Sequence, residues 1–401
     1  MTNQLRVIIV VGVLTLFCAL FFATFLSKDS DDEIIYTGLA VKISSTGLTE
    51  YNLRDLSIDS RGKFWKISYQ KNGNFLGLMS QSGVSYYDVP FYFNPPLFPV
   101  MLAFSHEVFN RPLSFLLMKR NQELVFHSEQ FYAIFPSVFF SLLFLIGVFL
   151  LGKEYFDNKK TGILAVLFCF VSPVFLVATF KVWSDMMAAT LIVWSFLAWR
   201  RENRSVFNIF LSGSLFGLAV LTRTSALFAF PIFITKQWKY LLVWMAIAGI
   251  GTAPWFYSVY RHYGSFFYFP EAAQSKESLG WLKSISKPWY FYVLDLLYLS
   301  PLFLFSMVGV RKNPRLLIWF LSFILPLSIL LYSNKPLGLE DRYLLPCYPA
   351  LALLSAKGIL KLSGGWPRPL LVLTILAACS WSLKLGIFLI LSRESLRFAP
   401  W

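Results

Sequence analysis

The residues of this chain that could take part in chemistry stand where long apolar runs end. The densest acidic cluster, DSDDEIIYTGLA, begins at Asp29 soon after the apolar run 5–26 and contains Asp32 and Glu33. Asp185 opens a later apolar run in KVWSDMMAATL. A carboxylate can accept a proton from an attacking hydroxyl, and ionisable residues at membrane level are functional candidates because placing them there is costly.

Basic residues stand at comparable positions. Arg223 lies in LTRTS between two apolar stretches, Arg261 and His262 follow another run, and Arg342 precedes LLPCYPALAL. Guanidinium groups hold phosphate through charge-assisted, often bidentate hydrogen bonds. Acids and bases of this kind beside apolar walls predict the transfer of a group from a lipid-borne phosphate.

Each of these residues also has an ordinary structural explanation. Asp185 could cap the N-terminus of its helix, and Arg223 could extend toward lipid headgroups. His262 could be a polar residue of the membrane interface, and the acids around Asp32 could simply be solvated. For any one residue taken alone, the sequence leaves both explanations open.

The composition indicates what positions these residues. The chain has 401 residues, of which 57% are hydrophobic and only 14% are charged, whereas a soluble domain has about 25% charged residues. Apolar runs of about 20 residues, long enough to cross a bilayer, recur throughout. We therefore predict an all-α polytopic membrane protein formed by a single domain, 1–401. The net charge of +15 is explained by basic loops on the cytoplasmic side, and nucleic acid is not an expected partner.

The apolar runs predict eleven membrane spans with a cytoplasmic N-terminus. The first is interpreted as a retained anchor and not as a cleaved signal peptide. With this count every short basic cluster falls on the inner side, as the positive-inside rule requires. The predicted spans are about 5–26, 130–151, 161–179, 184–199, 206–221, 224–236, 239–258, 290–309, 315–332, 343–361 and 369–391.

The outer side then holds one long loop, 27–129, and a second loop near 260–289. Within the long loop, residues 97–118 predict an interfacial helix, and Asn72-Gly73 predicts a small β-hairpin. Residues 206–235 form either one tilted helix or two short helices that turn at Arg223, and the charges favour two. This topology brings all the candidate residues to the outer membrane face.

Several separated motifs resemble one family in the order in which that family has them. They are DDEIIYTGLAVKISSTG, FYFNPPLFPVMLAF, SPVFLVATFKVWSDMMAATL, GLAVLTRTSALFAFP, APWFYSVYRHYGSFFY and DRYLLPCYPALALL. The chain resembles integral-membrane glycosyltransferases of the C-type fold that use polyprenyl-phosphate sugars. Within these it is similar to the group of protein O-mannosyltransferases and lipid A aminoarabinose transferases, which are glycosyltransferase family 39-like.

The resemblance implies a reaction and roles for the residues. A hydroxyl or phosphate of a lipid, glycan or protein acceptor would attack the sugar in one inverting displacement, as in inverting glycosidases. Asp32 would activate the acceptor with Glu33 beside it, and Asp185 would be a second acid. Arg223 and Arg342 would face the donor phosphate, and we also assign Arg261 and His262 to that role. Such an enzyme would lie in the bacterial inner membrane among membrane lipids, with its active site on the outer face.

Two points stay open in the sequence. The carboxylates of Asp32 and Glu33 could hold Mg²⁺ or Mn²⁺ through oxygen ligands, and the sequence leaves open whether any cofactor is needed. The alternative functions are a transporter or flippase of polyprenyl-linked glycans and a non-catalytic cell-envelope assembly protein of the same fold. A transporter should show an inverted repeat and charges near mid-membrane. Neither is visible, which favours the transferase.

Overall fold

All regular structure in the described part of the chain is helical. The computed structural model describes residues 31–48, 51, 95–109, 130–200, 205–235, 237–264, 266, 290–310, 313–332, 341–365 and 367–391. The α-helices are α1 Asp31–Thr46, α2 Leu97–Phe109, α3 Gln130–Phe156, α4 Lys159–Phe170, α5 Pro173–Thr179, α6 Asp185–Arg200, α7 Val206–Thr222, α8 Trp238–Tyr263, α9 Phe291–Leu299, α10 Ser306–Gly309, α11 Pro314–Tyr332, α12 Tyr348–Leu362 and α13 Arg368–Leu391. Three 3₁₀ helices are η1 Thr224–Phe233, η2 Pro301–Phe305 and η3 Asp341–Cys347.

Helical segments cover every predicted span except 5–26, which lies outside the described residues together with the predicted hairpin at Asn72-Gly73. By length and composition, four described helices can cross a membrane, or up to six if each of two bent pairs counts as one span. The all-α polytopic architecture is therefore confirmed. The number of eleven spans stays a prediction.

Two predicted spans are sharply bent where a serine precedes a proline. The axes of α4 and α5 differ by 70° across Ser172-Pro173, and those of α9 and the segment 301–309 differ by 111° across Ser300-Pro301. Proline lacks an N–H and disfavours a helical conformation in the preceding residue, so a helix tends to end there. The two breaks meet, because the hydroxyl of Ser300 donates to that of Ser172 over 3.3 Å.

Residues 206–235 form two segments, as the charges favoured. α7 ends at Thr222, Arg223 is extended with φ −157° and ψ 123°, and η1 begins at Thr224. The buried side chains of η1 include Ala226, Ala229 and Ile232. Their spacing of three places them along one straight edge of the 3₁₀ helix.

Glycines bring pairs of helices into close contact. A Cβ added at Gly213 or Gly217 of α7 would approach the carbonyl oxygens of Trp244 and Ala248 in α8, at 2.9 and 3.2 Å. Added at Gly358 of α12, it would overlap the carbonyl of Phe305 in η2. Small residues spaced by four let helix backbones approach in this way within membranes.

α6 lies at the centre of the bundle, with nearly all of its residues buried against α3, α7 and η3. By contrast, only 22% of the apolar window of α8 and 17% of that of α13 are buried. These two helices expose apolar side chains, as lipid-facing helices do. The central helix therefore positions residues in the interior, and the peripheral helices shield it.

Candidate active site

Three predicted site residues from distant parts of the chain meet at the start of α6. Asp185 is fully buried, and its Oδ2 lies 2.7 Å from Nη1 of Arg223 and 3.9 Å from Nη1 of Arg342. The Arg342 side chain is 4% exposed and that of Arg223 is 14% exposed. A buried carboxylate between two guanidiniums leaves this group of three residues with a net positive charge.

Local structure explains why Asp185 lies at this place. The turn between α5 and α6 is held to α3 because the Ser137 hydroxyl donates to the carbonyl oxygen of Lys181 over 2.7 Å. In the sixth position of α6, the Thr190 hydroxyl donates to the Phe140 carbonyl over 2.8 Å. Two hydrogen bonds to α3 therefore fix the start of the helix that carries Asp185.

Arg342 is held by η3, which is anchored in turn to α11. The indole of Trp319 donates to the Pro346 carbonyl over 2.9 Å, and Leu344 and Leu345 are fully buried. Arg223 stands in the extended break between α7 and η1, where neither helix includes it. The site is thus built from one helix start, one helix break and one 3₁₀ helix.

Aromatic rings cover both guanidiniums. Cζ of Arg223 lies 4.3 Å from the ring centroid of Tyr343, and Cζ of Arg342 lies 4.4 Å from that of Trp183 and 5.4 Å from that of Tyr343. Cation–π contacts of this kind stabilise a partly desolvated cation. They help to hold two like charges close together beside a single carboxylate.

The charge of Arg223 is secured by its surroundings. Burial acts to lower the pKa of the Arg223 guanidinium, but the negative charge of the Asp185 carboxylate raises it, and the net pKa lies above its ordinary value. An arginine in this setting is protonated at every physiological pH. The structure therefore favours ion pairing over extension of Arg223 toward headgroups.

α1 reaches the same site through Tyr36. The Tyr36 hydroxyl lies 2.8 Å from that of Ser184, which Nη1 of Arg223 also approaches at 3.4 Å. Tyr36 packs edge to face on Phe98 of α2, with ring centroids 5.1 Å apart. Tyr36 therefore connects α1 both to α2 and to the site.

Asp32 and Glu33 lie in the first turn of α1, and their side chains are outside the described part of the structure. Asp32 stands four residues before Tyr36, and this spacing places the two positions on the same face of the helix. Asp32 therefore lies one helical turn from Tyr36, the residue of α1 that contacts the site.

Arg261 and His262 are exposed in the last turn of α8 and are not part of the contacts described above between Asp185, Arg223 and Arg342. The helix does reach this end of the bundle. Trp255 packs edge to face on Tyr51 at 5.3 Å, and burial together with Tyr36 raises the pKa of Tyr51 well above its ordinary value. This part of α8 thus packs on Tyr51, which interacts electrostatically with Tyr36 of the site.

Several residues of this region were not singled out as candidates from the sequence. Trp183, Ser184 and Tyr343 are immediate neighbours of charged candidates, and an aromatic residue beside a membrane-level arginine is a usable signal. Asp295 of α9 is fully buried. As an acid inside the apolar run FYVLDLLYL, it met the criterion for a functional candidate at membrane level.

No group of three or more His, Cys, Asp and Glu residues that could hold a metal ion occurs among the described residues. The side chains of Asp32 and Glu33, the pair expected to offer oxygen ligands, lie outside the described part of the structure.

Comparison with known proteins places these observations in a family context. A family model described as dolichyl-phosphate-mannose-protein mannosyltransferase matches residues 110–235. The undecaprenyl phosphate-alpha-4-amino-4-deoxy-L-arabinose arabinosyl transferase 2 of Proteus mirabilis is 25% identical over 278 residues, which are 62% of this chain and 49% of that protein.

Solved structures decide the fold. ArnT from Cupriavidus metallidurans bound to undecaprenyl phosphate superposes with a TM-score of 0.62 and 16% identity, over 92% of this chain and 63% of that one. The chain has the C-type glycosyltransferase fold. The Archaeoglobus fulgidus oligosaccharyltransferase, tethered with an acceptor peptide, shares this C-type fold with a TM-score of 0.60 and 13% identity, over 98% of this chain and 55% of that one.

The resemblance inferred from the sequence motifs is thereby confirmed. The chain spans about half the length of the arabinosyl transferase that it matches and less than two thirds of each of these two solved structures.

Proposed function

We propose that this protein is a membrane glycosyltransferase that moves a sugar from a polyprenyl-phosphate donor to a hydroxyl or phosphate of a lipid, glycan or protein acceptor. The observation that carries the proposal is the meeting of Asp185, Arg223 and Arg342 beside α1. The relatives support it, since they include an arabinosyl transferase named for an undecaprenyl-phosphate sugar and a structure bound to undecaprenyl phosphate.

The two arginines bind the donor phosphate in this proposal. The phosphate is the leaving group, and its departure is easier when its negative charge is neutralised. Arg223 and Arg342 supply fixed positive charge in a site largely shielded from water, where electrostatic interactions are stronger. Asp185 orients both guanidiniums, so that they need not reorganise as charge develops on the phosphate.

Asp32 acts as the base in this proposal. Its carboxylate accepts the proton of the acceptor hydroxyl as the oxygen attacks the anomeric carbon, and the bond to the phosphate oxygen breaks in the same step. The anomeric configuration is inverted as a result. Glu33 stands beside it, while Arg261 and His262, exposed at the end of α8, could meet the donor phosphate only from the rim of the site.

The proposed setting is the bacterial inner membrane, with a cytoplasmic N-terminus and the Asp185 end of the bundle on the outer face. Carboxylates are the ligand type that Mg²⁺ and Mn²⁺ take, and a cation at Asp32 and Glu33 would add to the charge of the arginines. Treatment with EDTA distinguishes catalysis by the arginines alone from catalysis that also needs a cation at Asp32 and Glu33. Turnover persists if the arginines suffice, and it is lost and then restored by the added ion if a cation takes part.

The decisive experiment compares Asp32→Asn with Asp29→Asn in the purified full chain, using a polyprenyl-phosphate sugar as donor. We expect Asp32→Asn to lower turnover by at least about 100-fold, within the range of general-base catalysis. Asp29→Asn, which removes one charge from the same cluster, should stay near the unaltered rate. Full activity of Asp32→Asn would refute Asp32 as the base, and movement of the donor across vesicles without sugar transfer would favour the transporter.

A further inference from the structure

A pair of aromatic rings at the end of α3 carries basic side chains on its faces. The rings of Tyr155 and Phe156 have centroids 4.9 Å apart. Cζ of Arg200 lies 4.0 Å from the Tyr155 centroid, and Nζ of Lys357 lies 5.3 Å from the Phe156 centroid. Arg315 lies close enough to Tyr155 for the two groups to interact electrostatically. We refer to Arg200, Arg315 and Lys357 as the basic cluster.

The basic cluster is assembled from three elements. Arg200 ends α6, Arg315 is the second residue of α11, and Lys357 is the tenth of the fifteen residues of α12. All three side chains are half-buried. The cluster is therefore built by the tertiary fold and is not a run of neighbouring basic residues in one loop.

The basic cluster lies at the end of the bundle opposite the proposed active site. Arg200 follows Asp185 by fifteen positions in α6, which corresponds to about 22 Å along an α-helix. Lys357 follows Arg342 by the same number of positions through η3 and α12. Along α6, and along η3 with α12, the two charged sites are therefore separated by most of the thickness of a bilayer core, which is about 30 Å.

The charges around the cluster are predominantly positive. Glu154, in the last turn of α3, and Asp157, which follows the helix, are exposed, and Lys153 at the end of α3 and Lys159 and Lys160 at the start of α4 stand close to them in sequence. Among the described residues, no carboxylate forms an ion pair with Arg315 or Lys357. Arg315 and Lys357, both half-buried beside the rings of Tyr155 and Phe156, therefore carry positive charge that no described acid neutralises.

We propose that the basic cluster binds the headgroup phosphate of an anionic phospholipid in the leaflet opposite the active site. A phosphodiester has one negative charge and several acceptor oxygens, which suit a guanidinium and an ammonium side by side. Basic pockets between membrane helices bind lipid headgroups of this kind. The rings of Tyr155 and Phe156 beside the cations favour a lipid over a soluble phosphate.

The test uses the purified full chain in detergent, titrated with phosphatidylglycerol or with phosphatidylcholine, and counts retained lipids by native mass spectrometry. We expect preferential retention of phosphatidylglycerol, unchanged by excess inorganic phosphate. The double variant Arg315→Gln with Lys357→Gln should weaken this retention about 30-fold, from the usual contribution of two basic residues near an anionic headgroup.

Two controls make the result specific. The charge-preserving pair Arg315→Lys with Lys357→Arg should retain the lipid, and so should Lys384→Gln, which removes an exposed charge from α13. The proposal is overturned if the double variant binds like the unaltered chain, if Lys384→Gln weakens binding equally, or if inorganic phosphate displaces the lipid. The single variant Lys357→Gln, expected to weaken retention about 5-fold, answers the same question if the double variant does not fold.

Discussion

The two ends of α6 hold charge in opposite ways. At its start, Asp185 is fully buried and contacts two arginines, both of which lie against aromatic rings. At its end, Arg200 is half-buried and stacks on Tyr155, and the described neighbours Arg315 and Lys357 add further positive charge. One end is built around a buried ion pair, and the other brings three half-buried basic side chains to a pair of aromatic rings.

The difference shows what each end is suited to do. Charges fixed before reaction stabilise a developing charge without reorganisation, which suits the chemistry proposed at the Asp185 end. Half-buried cations at a helix end exchange water for a ligand at a lower free-energy cost than fully buried charges do. This suits reversible binding of a headgroup. The same helix therefore supports a rigid electrostatic site and an adaptable one.

The largest expected difference between the ends follows from Asp185→Asn. Removing the carboxylate leaves two guanidiniums with like charge at a buried site, and breaking a buried ion pair costs about 3–5 kcal/mol of stability. We expect sugar transfer to fall at least about 100-fold, since misplaced catalytic groups lose rates of that order. Turnover and thermal unfolding are measured together, with Lys357→Gln as the opposite-end control, which should keep activity within about 2-fold.

A substitution in the close contact between α12 and η2 should affect both charged sites. The reason is that α12 connects η3, which carries Arg342, to Lys357. In Gly358→Ala the new methyl group overlaps the Phe305 carbonyl, and overpacking costs about 1–3 kcal/mol. Chemical unfolding should reveal this loss, and both activity and lipid retention should decline. Gly249→Ala on the exposed side of α8, where an added Cβ meets nothing within 4 Å, should leave all three unchanged. Equal stability of the two variants would contradict the tight crossing.

The cation–π contacts of Arg223 and Arg342 with the Tyr343 ring are tested by Tyr343→Leu. Cation–π contacts at desolvated sites are worth about 2 kcal/mol, so turnover should fall about 30-fold. Tyr343→Phe keeps the ring face and should recover most of the rate. A Phe variant as slow as the Leu variant would assign the effect to the hydroxyl.

The corresponding change at the other end, Tyr155→Leu, should have the smallest effect. More exposed cation–π contacts are worth about 0.5–1 kcal/mol, and retention of phosphatidylglycerol should fall only about 3-fold. Sugar transfer should not change. If Tyr155→Leu slowed transfer as strongly as Tyr343→Leu, the two ends would not be independent.

The sequence predicted the meeting of Asp185, Arg223 and Arg342 because positive-inside topology restricts which helix ends share a face. Of the two arrangements left open for residues 206–235, the break at Arg223 was the favoured one, since a charge in the middle of an apolar stretch favours a turn at the membrane edge. Nη1 of Arg223 donates to Oδ2 of Asp185. The structure therefore shows Arg223 in an ion pair and not extended toward lipid headgroups.

Other features depend on packing that sequence patterns do not contain. The span predicted at 239–258 continues as helix to Tyr263, and Gly264 in the left-handed conformation ends it. Arg261 and His262 therefore lie in the exposed last turn of this helix. The bends at Ser172 and Ser300 were not predicted, because a serine–proline pair can kink or end a helix, and contacts with neighbouring elements decide which. Trp183 and Tyr343 could be assigned to the site only once the paths of η3 and α6 were known.

The 3₁₀ conformation of η1 has a consequence for the length of chain that the bundle needs. Ten residues in this conformation extend about 20 Å, whereas an α-helix of the same length extends about 15 Å. Beginning beside Arg223, the segment reaches Phe233, whose ring stacks on Trp244 at 4.5 Å and meets Trp199, the neighbour of Arg200, at 6.1 Å. A stretched helix thus lets ten residues connect the depth of Arg223 and Arg342 to the depth of the basic cluster.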